Sequence, residues 1–351
     1  MKLRRIISII AFLLGTVLLF TLLALAAVIR FNSAPVAEPG ADEEQDGIRI
    51  ESNLAFLEVR KGESAQSVGL RLERAGLIRN RYFWYALCRF EKDFLKSGYY
   101  QLEIPASQMA IHRILVTGRQ ILRRVTIPEG FTLQKTARVF EDAGICQADD
   151  FLNVAQDQNT ASRYRIPFAT MEGYLFPDTY LFPPEYPAVK VVETLVNTFF
   201  SRIGEIDSRA RDMDPNELGS MVIMASIVER EYRIDEEASL MAGVFFNRLG
   251  IGMALQSCAT VEYVITEIQG RPHPEVLSTR DTEIRDPYNT YIRPGLPPGP
   301  ICSPGATSLK AAFEPAPSDY LYFRLVEPSS GRHYFSRTFD DHIRAGLLYV
   351  K

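Results

Sequence analysis

From Ile6 to Ile29 the chain runs for twenty-four residues without a charge, almost all of them apolar. At about 1.5 Å per helical residue, such a run crosses a hydrocarbon core of about 30 Å with some tilt. The pattern predicts a transmembrane anchor within residues 1–31. Lys2, Arg4 and Arg5 precede it and favour a cytoplasmic N-terminus. Ala24-Leu25-Ala26 also suits a signal-peptide cleavage site, but the apolar run is longer than the roughly 7–15 residues of such a segment. Residues 32–46 then turn to Pro, Gly, Ala and acids, the composition of a flexible linker.

Beyond the linker the apolar spacing repeats. Val59-Arg60-Lys61-Gly62 through Leu77-Ile78 aligns without gaps with Ile127-Pro128-Glu129-Gly130 through Ile145-Cys146. Each copy reads as a β-branched strand end, a Gly turn, a Ser or Thr N-cap (Ser64, Thr132) and an amphipathic helix closed by Ala-Gly. Second helices are expected over 80–90 and 149–155. Strands are expected over 99–102 and 121–127. These units divide the region into 47–126 and a second repeat or connecting subdomain over 127–170.

Residues 171–351 read as a mixed α/β domain, so the chain as a whole is expected to be α+β. Asp214-Pro215-Asn216-Glu217 opens a helix with an N-cap and a proline at its first position. The mostly apolar run from Leu218 ends in Glu229. A second helix is expected from Asp235 to Gly250. The Pro-, Gly- and Tyr-rich stretch 285–304 reads as loop, of the kind that builds clefts. Tyr320 to Phe323 and His333 to Phe335 form an expected hairpin around Gly331.

A net charge of -4 and a pI of about 5.8 argue against nucleic acid as a partner. The four histidines are scattered, and phosphate-loop, Ser-x-x-Lys and nucleophile-elbow patterns are absent, so no metal or cofactor is expected. Carboxylates with aromatic and amide neighbours remain, the residue types of carbohydrate sites. Among them Glu229 stands out. A carboxyl group against apolar walls has its charged form disfavoured, which suits it to donate a proton near neutral pH. Glu231 lies about 200° further round the helix at roughly 100° per residue, which leaves it to solvent or to Arg230 or Arg233. Glu172 and Asp178 are the candidates for a second acid, although Asp178 also fits a turn role after Pro177.

Several motifs occur in order: Glu172-Gly-Tyr-Leu-Phe-Pro-Asp-Thr-Tyr180, Ala225-Ser-Ile-Val-Glu229, Asn247-Arg248-Leu249, Leu255-Gln256-Ser257, Tyr288-Asn289-Thr290-Tyr291, Gly295-Leu-Pro-Pro-Gly-Pro300, Pro304-Gly305-Ala306 and Leu321-Tyr322-Phe323. In these the chain resembles the endolytic murein transglycosylase family (MltG, or YceG-like). The resemblance implies that the repeat region is LysM-like and that residues 171–351 are the catalytic domain. It implies Glu229 as the catalytic acid, then base, of a lytic transglycosylase. Such a lyase cuts the MurNAc–GlcNAc bond within peptidoglycan strands, without water or cofactor, to leave 1,6-anhydro-MurNAc ends. The expected location is the inner membrane, single-pass, with the catalytic domain outside the cytoplasm and peptidoglycan synthases as partners. Gln256, Tyr288 and Asn289 are expected substrate contacts, Gln256 alternatively orienting Glu229, and Tyr291 a packing residue. Where the family often has Thr-Asp-Pro-Thr, this chain has Ser257-Cys258-Ala259-Thr260, and Cys302 lies in the other cleft loop. In an oxidising compartment this leads to an expected Cys258–Cys302 disulfide. Two other readings compete: a non-catalytic wall-binding scaffold for a synthase, and a muramidase hydrolase needing a second carboxylate.

Overall fold

A computed structural model describes residues 2–36, 44–91, 94–120 and 122–348. The chain forms two compact units, Met1–Leu122 and Arg123–Lys351. The repeat over 127–170 therefore belongs to the same unit as the residues from 171 onward, and the two share one core that includes Phe140, Phe151, Tyr174, Phe199 and Val228.

The first unit opens with α1 (Lys2–Ser33). Its stretch Phe12–Asn32 is long and apolar enough to cross a membrane. Phe12, Leu18 and Phe20 are each more than half exposed, which fits a single-pass anchor. The expected linker lies outside the described residues over 37–43. It is shorter than its composition implied, since β1 (Glu44–Gln45) already pairs with β2 (Ile48–Glu51). β3 (Leu54–Val59), α2 (Ala65–Arg74), α3 (Arg81–Glu91), β4 (Gly98–Glu103) and α4 (Gln108–Thr117) complete the unit. The strands form one antiparallel sheet in the order β1-β2-β3-β4. Trp84 is fully buried, and its indole N–H donates to Ala65 O at 3.0 Å.

The second unit begins with β5 (Arg123–Thr126), α5 (Leu133–Asp142), α6 (Ala148–Ala155), α7 (Gln158–Arg163) and β6 (Thr179–Phe182). β5 pairs antiparallel with β6, Val125 opposite Tyr180. The repeat is thus realised twice as strand, helix, helix. The turn glycines Gly62 and Gly130 sit at φ +78° and +74°, a region that a β-carbon disfavours. Ser64 and Thr132 accept the N-cap bonds from Ser67 N–H and Lys135 N–H.

The nineteen-residue α8 (Ala188–Ile206), which the sequence reading did not assign, packs Val192, Leu195, Val196 and Phe199 into the core. α9 (Pro215–Glu229) starts as expected, with Asp214 accepting from Asn216 N–H at 2.8 Å. α10 (Asp235–Gly250) follows over the expected span. α11 (Cys258–Tyr263) runs into a π-helical turn at Val264–Ile268, and α12 (Thr279–Thr282), α13 (Ala306–Phe313), β7 (Tyr322–Glu327), β8 (Arg332–Ser336) and α14 (Phe339–Leu348) complete the unit. The β7–β8 hairpin pairs Phe323 with Phe335.

Candidate active site

Glu229 ends a helix in which every residue from Val222 to Val228 is buried. Its Oε2 accepts two hydrogen bonds, from Gly305 N–H at 2.9 Å and from Ser308 Oγ at 2.6 Å. Gly305 caps α13 and Ser308 lies in its first turn, so a free donor at a helix start holds this carboxyl oxygen. Oε1 has no hydrogen-bond partner among the described residues. Burial pushes the Glu229 pKa up to about 7 against the pull of the two bonds, and the charge of Glu129 adds to the rise.

Ser226 explains why a hydroxyl interrupts this apolar helix. Its Oγ donates to Ile223 O at 2.7 Å and accepts from Ile301 N–H at 3.1 Å, and its carbonyl accepts from Cys302 Sγ at 3.2 Å. The loop 301–305 is thereby fixed to α9. On its other side Gly130 N–H donates to Ser303 O at 2.9 Å and Ser303 N–H to Phe131 O at 2.8 Å. The turn of the second repeat therefore forms one wall of the site. A β-carbon at Gly130 would sit 3.7 Å from Glu229 Cγ, and one at Gly305 would overlap the Glu129 carboxylate. Glu129, Gly305 and Ser308 were not assigned roles from the sequence, although Glu129 and Gly305 lay inside recognised motifs.

The other sequence candidates divide. Gln256 is exposed at φ +48°, with its N–H donating to Thr290 O. It does not orient Glu229, whose partners are Gly305 and Ser308. Tyr288 is half-buried against Tyr263, with ring centroids 5.0 Å apart. Asn289 corrects the expectation of a sugar contact. It is fully buried, its Nδ2 donates to Thr282 O and Ile284 O, and its Oδ1 accepts from Tyr291 N–H. Its polar atoms are used in holding the loop. The expected Cys258–Cys302 bond is also corrected: both thiols are free. Cys258 Sγ shares a hydrogen bond with Tyr291 OH at 3.1 Å, while Cys302 is buried against Ser226 O. Glu231 lies beyond the end of α9, where the helical angle no longer applies, and it accepts from Ser257 Oγ instead of pairing with an arginine. Asp178 accepts from Thr179 N–H at 2.7 Å and pairs with Arg202 at 3.4 Å.

Glu172 is 5 % exposed and receives Leu133 N–H, at the start of α5, on both oxygens at 3.2 and 3.1 Å. Burial pushes its pKa up to about 8. Glu172 and Glu229 thus both titrate above the ordinary value of 4.5. Between pH 4.5 and these raised values the folded chain keeps protons that the unfolded chain releases. Stability therefore falls as pH rises through that window, and the loss is complete above about pH 8. The thermal midpoint is expected to be higher at about pH 5.5 than at about pH 8.5, with Glu172→Gln reducing the difference; a pH series of thermal unfolding checks this. Among the described residues, no three His, Cys, Asp or Glu side chains converge as a metal site would require.

The Asn247-Arg248 motif clamps the site loops. Asn247 Nδ2 donates to Ser318 O and Tyr320 O. Arg248 donates to Leu321 O and Leu255 O, both at 2.6 Å, beneath the Tyr322 ring.

Residues 57–346 match the YceG-like family. The chain is 29% identical over 322 residues to the endolytic murein transglycosylase of Streptococcus pneumoniae serotype 2 (strain D39 / NCTC 7466), covering 82% of this chain and 56% of the relative. It thus spans little more than half of that relative's length. The endolytic murein transglycosylase of Bacillus subtilis (strain 168) is 27% identical over 313 residues, 84% of each chain. A yceG-like protein of Listeria monocytogenes with a solved structure superposes with a TM-score of 0.56 at 28% identity, over 84% of this chain and 99% of the other. With most of its length inside the family match, the chain belongs to the YceG-like family.

Proposed function

We propose that this chain is an endolytic murein transglycosylase, anchored in the cell inner membrane by α1 with its N-terminus in the cytoplasm and the remainder outside. The observation that carries this reading is Glu229, a carboxyl group raised to about pH 7 by burial, with one oxygen fixed and the other unengaged. A group with this pKa is protonated often enough near neutrality to act as an acid and basic enough to take the proton back.

The reaction needs only that one group. Glu229 Oε1–H gives its proton to the glycosidic oxygen as the MurNAc C1–O bond breaks, and the GlcNAc side leaves as an alcohol. The resulting carboxylate then takes the proton from the MurNAc C6 hydroxyl, whose oxygen bonds to C1. The products are a 1,6-anhydro end and a free GlcNAc end, with no water consumed and Glu229 reprotonated. The exposed Gln256 amide is available to an N-acetyl group, and the Tyr288 ring borders the loop at Gly299. The strand-helix-helix units are read as LysM-like modules that hold glycan, with peptidoglycan synthases as partners.

The test is to incubate the full chain, in detergent, with uncrosslinked glycan strands and weigh the product ends. Anhydro ends, lighter by one water than reducing ends, are expected. Reducing ends would replace this reading by a muramidase, for which Glu129 is the second carboxylate at hand. Glu129→Gln is expected to move the alkaline fall in cleavage to lower pH, because the charge that helps hold the proton on Glu229 is gone. An unchanged pH profile would assign Glu129 a purely structural place.

A further inference from the structure

A cavity of about 550 Å³ lies beside α5, lined by Lys135, Arg138, Arg271 and His273 together with Thr266 and Glu267. Its volume falls within the range of ligand sites, roughly 300–1,000 Å³. Lys135, Arg138 and Arg271 are cationic, on a chain whose net charge is -4. Glu267 is already engaged, accepting from Thr132 Oγ at 2.9 Å and from Thr266 Oγ at 3.0 Å. Arg138 has no ion-pair or hydrogen-bond partner among the described residues. The π-helical turn at Val264–Ile268 places Thr266 and Glu267 on the cavity wall, a distortion often found at functional sites. A smaller neighbouring hollow shares Lys135, Thr266, Glu267 and His273 and adds Thr132 and Arg230. Arg230 follows Glu229 directly, and Thr132 lies two residues beyond Gly130. In that hollow Arg230 pairs with Glu262 at 3.0 Å, so the free positive charge lies in the larger cavity, at Arg138.

In a strand that bears peptides the lactyl carboxyl of each MurNAc is tied up as an amide, so the sugar backbone itself gives no reason for such a charge. We propose that this cleft binds carboxylate groups carried on peptide substituents of the glycan strand, so that the chain selects strands that still bear peptides. This rests on the transglycosylase reading for its substrate, and binding is measured separately from cleavage to keep the two apart.

The experiment uses the full chain in detergent with Glu229→Gln, which cannot consume the ligand. Fluorescently labelled strands are titrated with their peptides intact, or stripped by an amidase with the lactyl carboxylates that stripping uncovers then capped as neutral amides. Peptide-bearing strands are expected to bind about five- to tenfold more tightly, as a few partly exposed charge pairs allow. The preference should shrink as salt is raised from about 0.05 to 0.5 M. Adding Arg138→Ala and Arg271→Ala should abolish the preference while leaving affinity for stripped strands unchanged, and Arg138→Lys with Arg271→Lys should restore part of it. The proposal fails if the alanine pair keeps the preference or if the parent has none. It also fails if the alanine pair loses affinity only for strands ending in pyrophosphate, which would make the cleft a phosphate site. Binding to neither kind of strand would overturn the glycan reading itself, a different result from binding without discrimination.

Discussion

Glu229→Gln is expected to lower the rate of glycan cleavage by about 10³-fold or more, since one group supplies both proton transfers and each such role contributes roughly 10²–10⁴-fold. That corresponds to at least about 4 kcal/mol of lost transition-state stabilisation. The amide oxygen can still accept from Gly305 N–H and Ser308 Oγ, so the loop should stay in place and substrate affinity should change little. Stability should move the other way. Above about pH 7.5 the native carboxylate is held ionised in surroundings that disfavour it, with a pKa of about 7 against an ordinary 4.5. Removing that charge is worth about 1–3 kcal/mol at alkaline pH. Product analysis and thermal unfolding at about pH 8 measure the two effects on one sample. A variant that unfolds earlier than the parent would count against the buried-carboxyl description of the site.

Arg248→Met carries the largest expected stability loss, about 3–5 kcal/mol. The guanidinium is nearly buried and joins the carbonyls of Leu255 and Leu321, which lie on either side of the site loops. Methionine fills much of the volume but donates nothing, leaving two acceptors in a largely desolvated place at about 1–3 kcal/mol each. Chemical denaturation should show the loss in the transition midpoint. Hydrogen exchange should show faster opening around Gln256 and Ser257, because the Leu255 carbonyl fixes the start of that loop. A loss below about 1 kcal/mol would mean that water replaces the arginine at both carbonyls.

Local patterns in the sequence were legible wherever the physics is local. The uncharged run became α1, the Asp214-Pro215 signal opened α9, and the paired Gly turns and Ser or Thr caps took the same backbone shapes in both repeats. α8 was also readable, since Val192, Leu195, Val196 and Phe199 follow a helical spacing, but its window was left unassigned. The site itself was only partly legible. Glu229 could be singled out because its environment is written in the residues just before it. Glu129, Gly305 and Ser308 meet it across long separations in sequence, which no spacing rule reveals. The same limit explains Asn289 and the cysteines. An amide or a thiol near a cleft shows what it can bind, while the fold decides whether its own loop has already taken that capacity.

The two copies of the strand-turn-helix unit are under unequal structural constraint. The second copy shares the compact unit Arg123–Lys351 with both hydrogen-bond partners of the Glu229 carboxyl, and its Gly130 turn is bonded to the loop that carries Gly305. The first copy closes its own core within Met1–Leu122. Among relatives, the first copy is expected to vary more freely than the second. The second is expected to change in step with α9 and α13, because its turn is bonded to the loop that fixes the Glu229 carboxyl.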